Sequence, residues 1–240
     1  MSTYVISDIH GNYKKYKRLL EMIDFKDKDT LYVLGDVIDR GPEGIKVLKD
    51  MMSQPNVIPI LGNHEFMAKI SLPFLMTEII DETLDQMKYP DMLMCLDWLE
   101  NGGTTTIKEF RDLSREEKND VLDYLGEFSL YHVVTINDKE FVLVHAGFDG
   151  FTPQRELDDY DLSELIFEKP DYGVKYFENS YLVTGHTPTR LINRLMNELN
   201  DNEICDDIYE RNKHIAIDCG CVYGGKLGCI CLDTMEKYYV

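Results

Sequence analysis

Short β-branched apolar runs recur along the chain, and five of them end in a polar, glycine-flanked segment rich in metal-binding residue types. Tyr4-Val5-Ile6 leads into Ser7-Asp8-Ile9-His10-Gly11, and Leu31-Tyr32-Val33-Leu34 leads into Gly35-Asp36-Val37-Ile38-Asp39-Arg40-Gly41. Val57-Ile58-Pro59-Ile60 precedes Leu61-Gly62-Asn63-His64-Glu65, Phe141-Val142-Leu143-Val144 precedes His145-Ala146-Gly147, and Tyr181-Leu182-Val183 precedes Thr184-Gly185-His186. Such runs read as buried strands. The first 65 residues alternate strand and helix: strands at 3–7, 31–34 and 57–61, helices at about 12–23 and 42–53. Asn12 and Pro42 serve as helix-start signals, Pro42 at a first-turn position. A β-α-β-α-β order implies a parallel sheet with right-handed crossovers.

From Glu65 to about Phe128 the strand pattern stops. Met76 to Met87, Met92 to Glu100 and Ser114 to Gly126 read as helices, broken at Pro73, Pro90 and Gly102-Gly103. Ser114 with Glu117 matches a capping box at a helix start. The methionines between 76 and 94 read as core filler. Tyr131 to Ile136 and Phe141 to Val144 read as a hairpin joined by the four residues Asn137 to Glu140. His214 to Asp218, Lys226 to Leu232 and Glu236 to Val240 add strands, while 156–164 and 197–212 read as loops or short helices. One domain over 1–240 accounts for this order, with 66–128 as a helical insertion over the ligand-bearing edge.

Composition narrows the function classes. The chain has 240 residues, 44% of them hydrophobic, and a net charge of −19. That charge opposes nucleic-acid binding, which needs clustered cations, and opposes an anionic membrane surface. No apolar stretch approaches the ~18–20 residues that span a bilayer. Cysteines 219/221 and 229/231 are one residue apart, not the about two to four of zinc sites. That period puts each pair on one face of a strand, as buried thiols in a reducing cytoplasm.

In open α/β sheets chemistry collects beyond the carboxyl ends of the strands. Five such ends would gather Asp8, Asp36 and Asp39, His10, His64, His145 and His186, and Asn63 at one edge. Asp8 and His10 can reach one cation, and the Asp36 carboxylate can bridge two. Asn63, His145 and His186 complete a second site. Mixed carboxylate and imidazole ligands suit Mn, Fe or Zn better than Ca or Mg. Two such ions can clamp an in-line phosphoryl displacement.

The blocks Asp-x-His-Gly, Gly-Asp-x-x-Asp-Arg-Gly, Gly-Asn-His-Glu, His-Ala-Gly and Gly-His-Thr-Pro span residues 8 to 188. In that order they resemble the calcineurin-like metallophosphoesterases. The likeness is to the phosphoprotein-phosphatase branch, which includes bacterial and phage serine/threonine phosphatases and symmetrical dinucleoside-tetraphosphatases. Trp98 to Gly103 and Ile217 to Gly220 resemble bacterial members outside the metal site. The resemblance implies an α/β four-layer sandwich of two mixed sheets flanked by helices. It implies one divalent ion, most simply Mn, on Asp8, His10 and Asp36, and another on Asp36, Asn63, His145 and His186. It further implies in-line attack by a metal-bridging hydroxide without a phosphoenzyme. His64 would protonate the leaving alkoxide or stabilise the transition state, and Asp39 would orient its imidazole and raise its pKa. Arg40 would grip phosphate oxygens with its planar fork.

One stretch departs from the family pattern. Many relatives carry Leu-Leu-Trp-x-Arg before the last metal histidine, where this chain has Leu165-Ile166-Phe167-Glu168-Lys169. Lys169 or Arg155 is left to replace the second phosphate-binding arginine. Competing structural roles also exist: Arg40 could pair with Glu43, Asp39 could cap the next helix, and Tyr172 and Tyr223, which could line the pocket, read first as ordinary packing. The expected activity is that of a serine/threonine protein phosphatase acting on a phosphoprotein or small phosphoester. Cleavage of diadenosine tetraphosphate into two ADP is the alternative, though no purine-stacking wall is evident. A non-catalytic binding module is a different class, set against it by intact ligand positions and His64.

Overall fold

The computed structural model describes residues 1–76, 88–196 and 203–240. The helix expected over Met76 to Met87 falls outside them, apart from Met76, which closes a 3-10 turn begun at Leu72. The order begins β1 (Thr3–Ile6), α1 (Tyr13–Met22), β2 (Thr30–Leu34), α2 (Gly44–Met52) and β3 (Val57–Ile60). The described residues up to β4 are then helical: α3 (Asn63–Ser71), α4 (Tyr89–Glu100), α5 (Thr104–Arg111) and α6 (Arg115–Gly126). After them come β4 (Tyr131–Ile136), β5 (Lys139–Val144), α7 (Leu162–Ile166), β6 (Tyr181–Thr184) and α8 (Thr189–Leu195). Four strands finish the chain: β7 (Tyr209–Arg211), β8 (His214–Ala216), β9 (Gly228–Cys231) and β10 (Lys237–Tyr239).

Two five-stranded sheets result, in the orders β10-β9-β1-β2-β3 and β4-β5-β6-β8-β7. In the first, β1 to β3 run parallel and β9 is antiparallel to β1. In the second, β5, β6 and β8 are parallel, flanked by antiparallel β4 and β7. The sheets are mixed, as expected. Side-chain alternation explains why their strands read as unbroken apolar runs. Val5, Tyr32, Leu34 and Ile60 face Phe141, Leu143, Val183 and Ile215 in an inter-sheet core. Their neighbours Tyr4, Ile6, Leu31 and Val33 face outward onto Leu19 and Leu20 of α1 and Leu48 of α2. On the far side, Val142, Val144 and Leu182 meet Leu165 and Ile166 of α7. With both faces covered, every position must be apolar, and each fully buried branched side chain contributes roughly 1.5–3 kcal/mol. These are the four expected layers.

Several local expectations need correction. Pro42 lies before α2, whose cap residue is Glu43, so it is not in the first turn. The β4–β5 loop has two residues, not four, because Asn137 and Asp138 both take left-handed φ (50° and 61°) and let Ile136 pair with Lys139. That is the twist-matched primed turn. The 197–212 segment contains an edge strand, β7, too short to show alternation. Cys229 and Cys231 do share a face, but Gly220 at φ 69° turns the chain between Cys219 and Cys221 and sends them into different clusters. Asn12 caps α1 and the Ser114–Glu117 capping box caps α6, as read.

One buried imidazole in the second sheet is set apart from the ligand-bearing edge. His214 stacks on Tyr172 at 5.0 Å, meets Thr184 Oγ1 through Nε2 at 2.9 Å, and leaves Nδ1 without a partner. Burial pushes its pKa down to about 3. Between pH 6.5 and that value the unfolded chain binds a proton that the folded chain refuses, so stability falls as pH falls. From pH 7 to 5 this one group removes about 2 kcal/mol. Urea midpoints at the two pH values should show His214→Gln losing less stability than wild type by about that amount; equal losses would contradict it.

Candidate metal centre

The polar residues after β1, β2, β3, β5 and β6 meet at one edge, held there by unusual backbone. Asp8, His10, Asp36, Asp39, Arg40 and His186 all have φ between 45° and 69°. Each such left-handed residue costs on the order of 1 kcal/mol or more and persists only where its surroundings demand it. The demand is visible. Glu65, at 0% exposure, accepts the Asp36 and Val37 N–H groups at 2.8 Å and those of Gly62 and Ile38 at 3.2 and 3.3 Å. In return Asp36 Oδ1 accepts the His64 N–H at 3.3 Å. A Cβ on Gly62 would lie 2.4 Å from Asp36 Oδ1, so only glycine permits this approach.

Asp36 stands at the centre. Its Oδ2 lies 3.6 Å from His10 Nε2 and 3.8 Å from His64 Nε2, while Oδ1 lies 3.4 Å from His145 Nε2. His145 Nε2 is 3.1 Å from Asn63 Oδ1 and 3.2 Å from His186 Nδ1, which is itself 3.1 Å from Asn63 Oδ1. Two groups of three form among the described residues: His10, Asp36 and His64, and Asp36, His145 and His186. The second matches expectation. The first has His64 where Asp8 was expected. Asp8 Oδ2 instead accepts the Ser7 hydroxyl and the His186 N–H, the latter at 2.9 Å.

The donor set fits a cation. His10 Nδ1 faces the Ile38 carbonyl at 2.9 Å and His145 Nδ1 the Leu34 carbonyl at 2.6 Å. Carbonyls only accept, so both Nδ1 atoms carry the proton and both Nε2 atoms present lone pairs inward. The Phe167 backbone hydrogen-bonds the His186 ring as well. Around His145 Nε2, lone pairs therefore face lone pairs. At His10 Nε2 the Arg40 Nη1 donates at 2.6 Å, a positive group already satisfying one of them. Burial pushes the Asp8 and Asp36 carboxyls well above the ordinary range and holds His10 and His145 well below it. It lowers His186 to about 4. A divalent cation favours anionic carboxylate and neutral imidazole, and so opposes both penalties.

His64 is wholly buried, with Nδ1 2.6 Å from Asp39 Oδ2 and Nε2 without a hydrogen-bond partner. The expected rise in its pKa is absent: burial, then the Arg40 charge, pushes it to about 3. Burial likewise raises Asp39 to about 7, against hydrogen bonds from Thr106 and Trp98. Asp39 is no helix cap. Arg40 is not paired with Glu43, which binds Lys46 at 2.6 Å. Its guanidinium lies 5.5 Å from the ring centroid of Tyr223, which is 53% exposed and so more than core packing. Tyr172 is core packing, as read. Arg155 is taken by Glu164 through two contacts of 2.6 and 2.7 Å. Lys169 is exposed and its charge reaches His186. Sequence reasoning missed Glu65 as the clamp and Ser7, Trp98 and Thr106 as supports; buried polar residues beside a ligand block were the available signal.

Over 106 residues the chain is 37% identical to the symmetrical bis(5'-nucleosyl)-tetraphosphatase of Wigglesworthia glossinidia brevipalpis, covering 41% of this chain and 38% of that protein. It is 34% identical over 151 residues to serine/threonine-protein phosphatase 2 of Escherichia coli K12, covering 61% and 59%. These matches span between about two fifths and three fifths of the relatives' length. A solved structure described as a putative diadenosine tetraphosphatase superposes with a TM-score of 0.65 at 20% identity, over 99% of this chain and 92% of that one, a likeness of fold. Among the described residues no helix is long and apolar enough to cross a membrane. The family model for calcineurin-like phosphoesterases matches residues 1–225, and the chain belongs to that family.

Proposed function

We propose that the chain is a phosphoester hydrolase that uses two divalent ions, Mn before Fe or Zn, and that its substrate is phosphoserine or phosphothreonine in a protein. One observation supports this most: the two oxygens of Asp36 face different imidazoles, His10 from Oδ2 and His145 from Oδ1. That is a bridging carboxylate between two ligand groups. Asp8, His10 and Asp36 would hold one ion, and Asp36, Asn63, His145 and His186 the other. When bound, the ions supply Lewis-acid neutralisation of phosphate oxygens and a more acidic water.

The chain's own residues do the rest. Arg40, anchored by its N–H to the Gly102 carbonyl at 3.1 Å, presents a planar fork to the phosphoryl oxygens. Lys169 adds a point charge in place of the missing second arginine. His64 Nε2, the ring nitrogen without a hydrogen-bond partner, would deliver the proton to the leaving oxygen while Nδ1–H stays on Asp39; because burial holds the ring neutral in the free site, that proton would arrive with the substrate or its attacking water. A phosphoprotein or small phosphoester is thus the partner, with neither nucleic acid nor membrane required. Cleavage of dinucleoside tetraphosphate is a second reading. Tyr223 favours it, because an exposed ring at the mouth beside Arg40 offers the stacking wall that the sequence did not reveal.

Three outcomes test this. His64→Asn should lower kcat by ~10²–10⁴-fold with bound Mn unchanged; lost Mn instead would make His64 a ligand, as its place beside His10 and Asp36 allows. Chelator-treated protein should lose turnover and regain it with Mn, and saturating Mn at ~100 Kd should stabilise the fold by about 2.7 kcal/mol. No thermal shift on adding Mn would contradict a metal centre. With Mn, a phosphothreonine peptide should turn over faster than diadenosine tetraphosphate; cleavage of the dinucleotide alone would install the second reading.

A further inference from the structure

Asp39 is 0% exposed, yet its carboxylate carries three donors. Trp98 Nε1–H donates to Oδ2 at 2.6 Å, the Thr106 hydroxyl to Oδ1 at 2.5 Å, and His64 Nδ1 lies 2.6 Å from Oδ2. The directions are fixed by chemistry. An indole N–H only donates. Thr106 Oγ1 already accepts the Asp39 N–H at 3.0 Å, so its own proton is free for the carboxylate.

His64, by contrast, has a single hydrogen-bonded ring anchor, because its Nε2 has no partner. The orientation of the imidazole is therefore inherited from Asp39, and that of Asp39 from Trp98 and Thr106. Trp98, the chain's one tryptophan and 1% exposed, cannot slide: a Cβ on Gly103 would lie 2.6 Å from its ring. The same stretch holds Arg40, through the Gly102 carbonyl on its backbone and the Asn101 carbonyl 3.4 Å from Nε. All of these groups come from α4, α5 and the turn joining them.

We infer that Trp98 and Thr106 are positioning residues for the Asp39–His64 pair, and that α4, α5 and the turn joining them build the proton-donating half of the site. This rests on the reading that His64 supplies the leaving-group proton. A hydrogen bond that fixes the carboxylate orienting a site histidine is worth ~10–100-fold in activity.

The test uses the Mn-loaded full chain with phenyl phosphate, a poor leaving group, and 4-nitrophenyl phosphate, a good one. Trp98→Phe and Thr106→Val should each lower kcat on phenyl phosphate by ~10–100-fold, with KM and bound Mn unchanged. The loss on 4-nitrophenyl phosphate should be several-fold smaller, and Thr106→Ser should retain wild-type turnover. Placed in the His64→Asn background, either substitution should add no further loss. Equal losses on both substrates, or undiminished losses without His64, would reduce both residues to a structural role and overturn the inference. A large loss from His64→Asn with silent Trp98→Phe and Thr106→Val would overturn it alone; an unaffected His64→Asn would overturn it together with the proton-donor reading. If Trp98→Phe fails to fold by its thermal transition, the Thr106→Val and Thr106→Ser pair decides.

Discussion

The buried Glu65 carboxylate is the constraint on which the site depends. It sits in the first turn of α3 and gathers four backbone N–H groups from two separate chain turns, the one after β2 and the one before α3. Charge-assisted bonds of this type are about twice as strong as neutral ones. They place Asp36, Asp39 and Arg40 on one side and Asn63 and His64 on the other in fixed relation. Burial raises Glu65 to about 7, and the backbone donors oppose that rise. Remove its charge and the left-handed residues of the β2 turn lose what compensates their strain.

Around this clamp the edge accumulates groups that oppose one another. Three carboxylates and four imidazoles are packed together, all but His186 buried, and burial disfavours the charged form of each. Such an arrangement is costly as a fold and useful as a receptor. With tautomers set by the Ile38 and Leu34 carbonyls, His10 and His145 both aim Nε2 inward; a cation would find the His145 lone pair open and would have to displace the Arg40 guanidinium at His10. The left-handed residues serve the same end, turning side chains after β1, β2 and β6 toward one point. Stability is provided elsewhere, by the inter-sheet core and the helices packed outside it.

Much of this was legible in the sequence because buried strands and ligand blocks are local patterns. The runs before Asp8, Asp36, Asn63, His145 and His186 became strands, and those residues met at one edge. What stayed hidden was long-range or chemically quiet. Glu65 reads as an ordinary helix acid until its four donors, up to 29 residues away, are in place. Trp98 and Thr106 reach Asp39 across 59 and 67 residues, and no spacing announces that contact. α5 opens on three threonines, poor helix formers whose placement is decided by packing. That His64 lies beside His10 and Asp36 while Asp8 turns toward the His186 N–H depends on side-chain rotation that a motif does not encode.

Charge bears on which phosphoester the site prefers. The chain's net charge is −19, and the arginines near the mouth are largely committed. Arg155 is locked to Glu164, Arg190 to Asp206 by contacts of 2.7 and 2.8 Å, and Arg40 shares its guanidinium with His10. A tetraphosphate chain carries several negative charges along its length and gains from a row of cations, whereas one phosphoryl group needs a short-range grip. Beyond about 8 Å salt screens the overall repulsion, so the local count of free cations decides. On the proposed reading that count suits a phosphomonoester on a larger carrier, which Arg40 and Lys169 would hold at the phosphoryl group itself. Tyr223 is the feature that weighs on the other side, and its ring can contribute ~1–3 kcal/mol by stacking a base.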